Sequence, residues 1–123
     1  MDSAVFEMAI TEAIAMVPAR LRAKIENVAF VVDDTPRGGG GRLLGLYHGV
    51  PLIKRGSPGY SGVLPDKITI YQAAIEAQAS GDEDRIRHLV TEVVHHEIGH
   101  YFGMDEATVR TWEQKRRRRR PSS

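Results

Sequence analysis

The chain has 123 residues, of which 41% are hydrophobic and 27% are charged, and its formal net charge is +1. This length and composition predict one globular domain with a single hydrophobic core. The chain contains no cysteine, which excludes a disulfide scaffold, a thiolate metal site and a cysteine nucleophile. Any bound metal must therefore be held by histidine, aspartate or glutamate.

The charge is unevenly distributed along the chain. Lys115 and the five arginines at 116–120 supply six of the 17 basic residues, which leaves 17 − 6 = 11 basic against 16 acidic side chains in residues 1–114, a net charge of −5. We expect residues 1–114 to form the domain and residues 115–123 to be a disordered basic tail. We do not expect this acidic domain to bind nucleic acid, and we expect only weak, salt-screened binding through the arginines of the tail.

The start of the chain and its hydropathy indicate where the protein resides. Acidic residues occupy the positions at which a signal peptide carries lysine or arginine, and no apolar run approaches the length needed to cross a bilayer. We therefore expect a cytoplasmic protein with no membrane partner. The sequence does not indicate an oligomeric state.

The first third of the chain predicts two helices and a strand. Apolar residues recur at helical spacing over residues 2–17, and Pro18 separates this helix from a second, short one over residues 19–26. Residues 28–32 are rich in β-branched side chains and predict a buried strand.

The middle of the chain predicts loops and two more strands. Residues 35–42 contain four consecutive glycines and predict a flexible loop. Residues 43–53 predict a bent strand, which Pro51 places at the edge of a sheet. After a loop rich in glycine, serine and proline over residues 54–65, the alternation in residues 66–71 predicts a third strand.

The last part of the chain predicts helices. Residues 72–79 form a short one, and the capping oxygens and acids of residues 80–84 favour the start of a long helix over residues 85–102. Gly103 is a natural C-terminal stop for that helix. Residues 105–114 predict a final short helix.

The long helix carries the motif H-E-x-x-H at His96, Glu97 and His100. Residues four apart lie one turn above each other on the same helix face, so both imidazoles can face one metal ion. Zinc accepts neutral histidine at about 2.0–2.1 Å and keeps one position for water in catalytic sites. Glu97 lies about 100° around the helix from His96, where it can act as the base for that water.

A third protein ligand is expected shortly after the motif. Gly103 lies seven residues after His96 and allows a sharp exit from the helix. Glu106 lies ten residues after His96, where the extended H-E-x-x-H-x-x-G-x-x-H motif places its third ligand. Asp105 is a rival, because loop geometry can shift a ligand by one residue. The sequence therefore predicts one zinc ion, held by two histidines and a carboxylate.

Other polar residues of the long helix have two interpretations each. His95 points about 100° away from His96 and is a histidine either behind the metal ligands or at the surface, rather than a ligand. His88 is expected to be solvated. Glu92 lies one turn before His96, where it either orients a ligand imidazole or lies at the surface.

Substrate contacts are expected from the strand before the motif. Residues 45–52 are a candidate edge that holds an extended peptide by main-chain pairing. Three side chains are candidates for stabilising the developing oxyanion: Tyr47, His48 and Tyr101. The alternative is that Tyr101 packs in the core and Tyr47 lies on a strand face.

Three segments together resemble the zincin-like metallopeptidase family of minimal metalloproteases, which are small bacterial proteins. The segments are residues 44–52 (LGLYHGVPL), 64–71 (LPDKITIY) and 95–103 (HHEIGHYFG), and the likeness covers most of residues 4–113. It implies an α+β fold in which a small mixed sheet packs against helices that include a long zinc-binding one.

The resemblance also implies site chemistry. It implies zinc ligation by His96 and His100, Glu97 as the general base, and an acidic third ligand that is usually aspartate, so Glu106 departs from the family pattern. It implies a zinc endopeptidase acting on peptide or protein substrates that are poorly defined. The alternative function is a zinc-binding module with little or no turnover, because a minimal fold has few walls with which to build a cleft.

Overall fold

The computed structural model describes residues 1–36, 43–49 and 65–103. Its elements in chain order are α1 (Ser3–Ala15), α2 (Ala19–Arg22), β1 (Val28–Asp33), β2 (Gly45–His48), β3 (Asp66–Tyr71), α3 (Gln72–Gln78) and α4 (Glu83–Tyr101). Each predicted helix and strand within these ranges is confirmed, most of them to within two residues; α2 is four residues shorter than predicted. The continuation of the second strand, the predicted final helix and the basic tail lie outside the described residues.

The three described strands form one mixed sheet in the order β1-β3-β2. Strand β3 pairs in parallel with β1, from Val28 opposite Asp66 to Asp33 opposite Tyr71. It pairs antiparallel with β2, from Gly45 opposite Ile70 to His48 opposite Lys67. The sheet confirms the expected α+β class and the small mixed sheet, and it puts β2 at an edge of the described strands.

The hydrophobic core lies between the sheet and the helices α1, α3 and α4. Helix α1 contributes Phe6, Ala9, Ile10 and Ala13, and β3 contributes Ile68 and Ile70, both 0% exposed. Full burial of such a side chain stabilises the fold by about 1.5–3 kcal/mol. Because α4 adds its own apolar stripe to this core, the helix is held at a fixed rotation about its axis.

Both ends of α4 are set by local chemistry. The Asp82 side chain accepts a hydrogen bond from the Arg85 backbone N–H, and Glu83 and Asp84 lie in the first turn, where the helix dipole favours acids. Gly103, with a φ of 87°, follows the last turn and donates to the His100 carbonyl at 2.9 Å. The H-E-x-x-H motif therefore occupies the end of a well-anchored helix.

Among the helices of residues 1–36 and 65–103, none is both long enough and apolar enough to cross a membrane.

Candidate metal centre

The two motif histidines face each other from successive turns of α4. His96 Nε2 and His100 Nε2 are 3.3 Å apart, and their ring centroids are 4.9 Å apart at 75°. Two nitrogen ligands on a tetrahedral zinc ion, each about 2.05 Å from the metal, lie about 3.3 Å apart. Both side chains are partly exposed, so the pair fits a zinc ion approached from solvent.

Glu97 lies beside this pair and is held by the sheet. Its side chain is buried (8% exposed), and its Oε1 atom accepts a hydrogen bond of 2.8 Å from the Tyr47 backbone N–H. The carboxylate is therefore anchored by an element other than its own helix, which fixes its direction relative to His96 and His100.

The register of β2 explains why this N–H points at α4. The Tyr71 N–H donates to the Leu44 carbonyl at 2.9 Å, so Leu44 opposite Tyr71 is a hydrogen-bonded pair. Such pairs alternate with non-hydrogen-bonded ones in an antiparallel ladder. Tyr47 opposite Ile68 is then of the second kind, and its backbone groups point away from β3.

The close approach of β2 to α4 depends on Gly45. A Cβ atom at this position would overlap the Val93 Cγ1 atom and would lie 3.3 Å from the Thr69 carbonyl oxygen and 3.4 Å from Glu97 Cγ. Glycine at the start of the strand therefore allows the edge to lie directly against the helix that carries the motif.

A cleft of about 270 Å³ opens beside the motif between the start of β2 and α4. Its walls are mainly apolar, and the motif and Glu92 contribute the polar part. The walls come from Leu43, Leu44, Leu89 and Val93, and the motif residues are His96 and Glu97. The cleft is thus an apolar recess next to the atoms proposed for chemistry.

The two candidate oxyanion tyrosines make structural contacts. The Tyr47 hydroxyl donates to Asp66 Oδ2 at 2.7 Å. Tyr101 is 0% exposed; its hydroxyl accepts from the Glu26 N–H at 3.2 Å and lies 3.2 Å from the Lys24 carbonyl oxygen. The contacts of Tyr101 support its role in the core.

The third oxyanion candidate is more exposed. His48 follows Tyr47 in β2 and is exposed, and successive strand residues point to opposite faces of a sheet. Its side chain therefore lies on the face of the sheet away from the Tyr47 ring.

The remaining polar residues of α4 are placed as follows. His95 is 0% exposed, with Nε2 2.6 Å from the Ala13 carbonyl oxygen, so the interpretation of a surface histidine is wrong. His88 is 56% exposed and its Nε2 lies 3.1 Å from Glu92 Oε1. This contact engages Glu92 with His88 at the rim of the cleft.

The two candidates for the third ligand, Asp105 and Glu106, lie outside the described residues. Within residues 1–36, 43–49 and 65–103, no group of three histidine, aspartate, glutamate or cysteine side chains is placed to hold a metal ion. Among the described residues the candidate site consists of the histidine pair and Glu97, and the third ligand stays a prediction.

The structure shows contacts around Glu97 that the sequence analysis did not identify. These are the bond from the Tyr47 backbone to Glu97 and the bond from the Tyr47 side chain to Asp66. A signal was present: Gly45, Tyr47 and Gly49 alternate, so two glycines flank an aromatic residue on one face of the strand. Glycine within a strand marks close approach of another element.

Two comparisons with known proteins bear on this site. A family model described as zincin-like metallopeptidase matches residues 25–116, which is 116 − 25 + 1 = 92 of the 123 residues. The matched range contains the three described strands, α4 and the positions of Asp105 and Glu106. A comparison with curated proteins found no match.

Proposed function

The chain belongs to the zincin-like metallopeptidase family, and on that premise we propose that it is a zinc-dependent peptidase that uses Glu97 as its general base. The observation that carries this proposal is geometric. The His96 and His100 Nε2 atoms are 3.3 Å apart, and the Glu97 carboxylate is held beside them by the Tyr47 N–H at 2.8 Å.

The metal ligands in this proposal are His96, His100 and a carboxylate from the segment after α4. Glu106 is favoured by its register and Asp105 is the rival. A zinc ion held there supplies a water whose pKa falls toward about 7 and a Lewis acid for the scissile carbonyl. Because the donors are two neutral imidazoles and one carboxylate, the set is one that catalytic zinc sites use.

Glu97 moves the proton in this proposal. The ionised carboxylate is the form able to accept a proton, and the hydrogen bond from the Tyr47 N–H holds it in place. Glu97 takes that proton from the attacking water and delivers it to the leaving amine. Its burial keeps the side chain in one orientation during both transfers.

The substrate in this proposal is an extended peptide along the outer edge of β2. The main-chain groups of Gly45 point away from β3, and strand addition uses such groups. The Tyr47 N–H on the same edge is bound to Glu97 and is not part of this pairing. The cleft beside Leu89 and Val93 fits an apolar substrate side chain, because its walls are mainly apolar.

The test is Glu97→Gln. This variant should bind one zinc ion per chain, as measured by elemental analysis, and should cleave no member of a peptide library that the wild-type protein cleaves, because glutamine cannot accept the proton. Glu83→Gln is the matched control, because Glu83 is exposed and lies in the first turn of the same helix; it should retain wild-type cleavage.

Two results would contradict parts of the proposal. Cleavage that survives Glu97→Gln would remove Glu97 as the base. One bound zinc in a wild-type protein that cleaves no library peptide would favour the alternative, a zinc-binding module with little or no turnover.

A further inference from the structure

We propose that Asp66 and the hydroxyl of Tyr47, here called the Tyr47–Asp66 pair, are positioning residues that hold the general base in place. Asp66 fixes the Tyr47 side chain, and the backbone N–H of the same tyrosine binds the Glu97 carboxylate. The expected effect on catalysis rests on the proposed function, whereas the chain of hydrogen bonds does not.

The first step is the anchor of the pair in the sheet. Asp66 is the first residue of β3 and is 3% exposed, and its N–H donates to the Asn27 carbonyl at 2.9 Å. The Tyr47 hydroxyl donates to Asp66 Oδ2 at 2.7 Å. A buried carboxyl group that loses a hydrogen-bond partner becomes costly to keep buried, so the bond resists displacement of Tyr47.

The second step is the room that the strand register leaves for this bond. Tyr47 lies opposite Ile68, so Asp66 is its diagonal neighbour, within reach of a long side chain. Continuing the register by two residues puts Gly49 opposite Asp66. A Cβ atom at Gly49 would overlap the Asp66 side chain, so the glycine leaves open the space that the carboxyl group occupies.

The third step is the transfer from the side chain to the backbone. Tyr47 belongs to an edge strand, and its N–H points outward to Glu97 Oε1 at 2.8 Å. One residue thus joins β3, β2 and α4: its hydroxyl is bound to Asp66 and its amide to Glu97. Holding the ring fixes the position of the strand at the residue that contacts the base.

A second contact restrains the same ring from another side. The Tyr47 and Tyr101 rings meet edge to face, with centroids 6.1 Å apart at 81°, and Tyr101 is the residue after His100. The ring of Tyr47 therefore lies between the buried carboxyl group of Asp66 and the last turn of the motif helix. A misplacement of about 1 Å in such a site lowers the rate by about 100-fold.

The first experiment uses Tyr47→Phe in the full chain, which keeps the ring and removes the hydroxyl. We expect unchanged zinc stoichiometry, a KM within about twofold of wild type, and a kcat lowered by about 10- to 100-fold, because positioning of the base acts on the chemical step. Tyr71→Phe is the matched control. Tyr71 is a buried tyrosine of β3, and its side chain lies on the face of the sheet opposite to that of Tyr47. The kcat of Tyr71→Phe should stay at the wild-type value.

The second experiment needs no metal and no activity. Amide hydrogen exchange in the metal-free protein, followed by NMR, should show a protected amide at residue 47 in the wild-type chain. Tyr47→Phe should speed that exchange by at least about tenfold, while the Ile68 amide in the central strand keeps its protection. Glu97→Ala should also speed exchange at residue 47, because it removes the acceptor of the Tyr47 N–H.

Asp66→Asn provides a conservative variant for the other half of the pair. The asparagine carbonyl still accepts from the Tyr47 hydroxyl, so exchange at residue 47 and kcat should lie between the values of wild type and Asp66→Ala. If Asp66→Ala does not fold, Tyr47→Phe and Asp66→Asn still decide the question.

The outcomes separate this proposal from the proposed function. If Tyr47→Phe leaves exchange at residue 47 unchanged, the positioning role is overturned, whether or not the wild-type protein is a peptidase. If it lowers kcat without changing that exchange, the hydroxyl acts directly on the substrate and the positioning role is again overturned. If Tyr47→Phe exchanges faster at residue 47 and the wild-type protein proves inactive, the hydrogen-bonded chain is supported and only the peptidase proposal is contradicted.

Discussion

Single residues decide how the candidate base is held, and Gly45 offers the most direct test of this. The Tyr47 N–H reaches Glu97 only because β2 lies directly against α4, and that approach requires the absence of a side chain at position 45. The backbone N–H of Tyr47 makes this hydrogen bond, so it depends on the position of the strand and not on the Tyr47 side chain alone.

We predict that Gly45→Ala separates β2 from α4. The added Cβ atom would overlap Val93 Cγ1, so the variant should lose about 1–3 kcal/mol of unfolding free energy through overpacking. Urea denaturation measures this loss. Cleavage should fall as well, because the Tyr47 amide moves away from Glu97.

A compensating change provides the control for Gly45→Ala. Val93→Ala in the same chain removes the overlapping methyl group, so the double variant should recover part of the stability that Gly45→Ala loses. A Gly45→Ala chain as stable as wild type would contradict the close approach of the strand to the helix.

At the scale of elements, the motif helix is held from its far side by a histidine next to the motif. His95 is fully buried, and its Nε2 lies 2.6 Å from the Ala13 carbonyl oxygen near the end of α1. This distance requires the tautomer with a proton on Nε2. The bond links α1 to the turn of α4 that carries His96, so it helps to set the direction in which His96 points.

We predict that His95→Phe lowers the unfolding free energy by about 1–3 kcal/mol, because phenylalanine keeps the ring but cannot donate to the Ala13 carbonyl. Thermal or urea denaturation measures the loss. His88→Phe is the matched control: His88 lies on the same helix and is 56% exposed, so its stability should change by less than about 0.5 kcal/mol. Equal effects in both variants would contradict the role of the buried bond.

Local sequence signals predict the elements well because their causes are local. The start of α4 was predicted from the capping and acidic residues at 80–84, and its end from Gly103, and both ends were confirmed within two residues. The spacing of His96 and His100 similarly predicts that they share a face, and their 3.3 Å separation agrees with it.

Contacts that depend on packing between distant segments were not predicted. The bond from Tyr47 to Glu97 joins residues 50 apart and that from His95 to Ala13 residues 82 apart. Both follow from strand register and helix rotation, which the pattern of one segment does not specify. The alternation of Gly45, Tyr47 and Gly49 was the available indication of a close approach, but not of its partner.

At the scale of the whole molecule, the first residue is tied to a helix far along the chain. The Met1 amine donates to Glu76 Oε1 at 2.8 Å, and Gln72 Nε2 contacts both the Met1 carbonyl at 2.9 Å and the same carboxylate at 3.2 Å. This cluster joins the start of α1 to α3.

The cluster makes stability depend on pH in a defined window. The hydrogen bond to Glu76 raises the pKa of the Met1 amine above 8.0, so its contribution is complete below pH 8.0 and is lost as pH rises through the raised value. The same bond lowers the pKa of Glu76 below 4.5, so the contribution of Glu76 is complete above pH 4.5 and is lost as pH falls through the lowered value.

We predict that wild type and Glu76→Gln differ most in stability between about pH 4.5 and pH 8.0, with wild type the more stable. The difference should shrink toward pH 3 and above pH 9. Urea denaturation midpoints measured across this range test it. Glu12→Gln is the control, because the Glu12 side chain is 62% exposed and its ion pair with Arg87 spans 3.5 Å; it should show little difference at any pH. A difference that is constant across the range would contradict the paired titration.

The proposed zinc site also belongs to the whole molecule, because its proposed third ligand lies on the segment after α4. A ligand that binds only the folded chain stabilises it by mass action, by about 2.7 kcal/mol at a free concentration 100 times its dissociation constant. We predict that zinc raises the melting temperature of the wild-type protein and that a chelator reverses the increase. His96→Ala and His100→Ala should each abolish the zinc-dependent increase, whereas the exposed His88→Ala should keep it.

The same measurement decides between the two candidate third ligands. Glu106→Ala should abolish the zinc-dependent increase in melting temperature and Asp105→Ala should retain it, because the register of the extended motif favours position 106. The reverse pattern would assign the ligand to Asp105. An increase that survives in both single variants and in the double variant would remove the carboxylate from the site and leave the two histidines of α4 as the protein ligands.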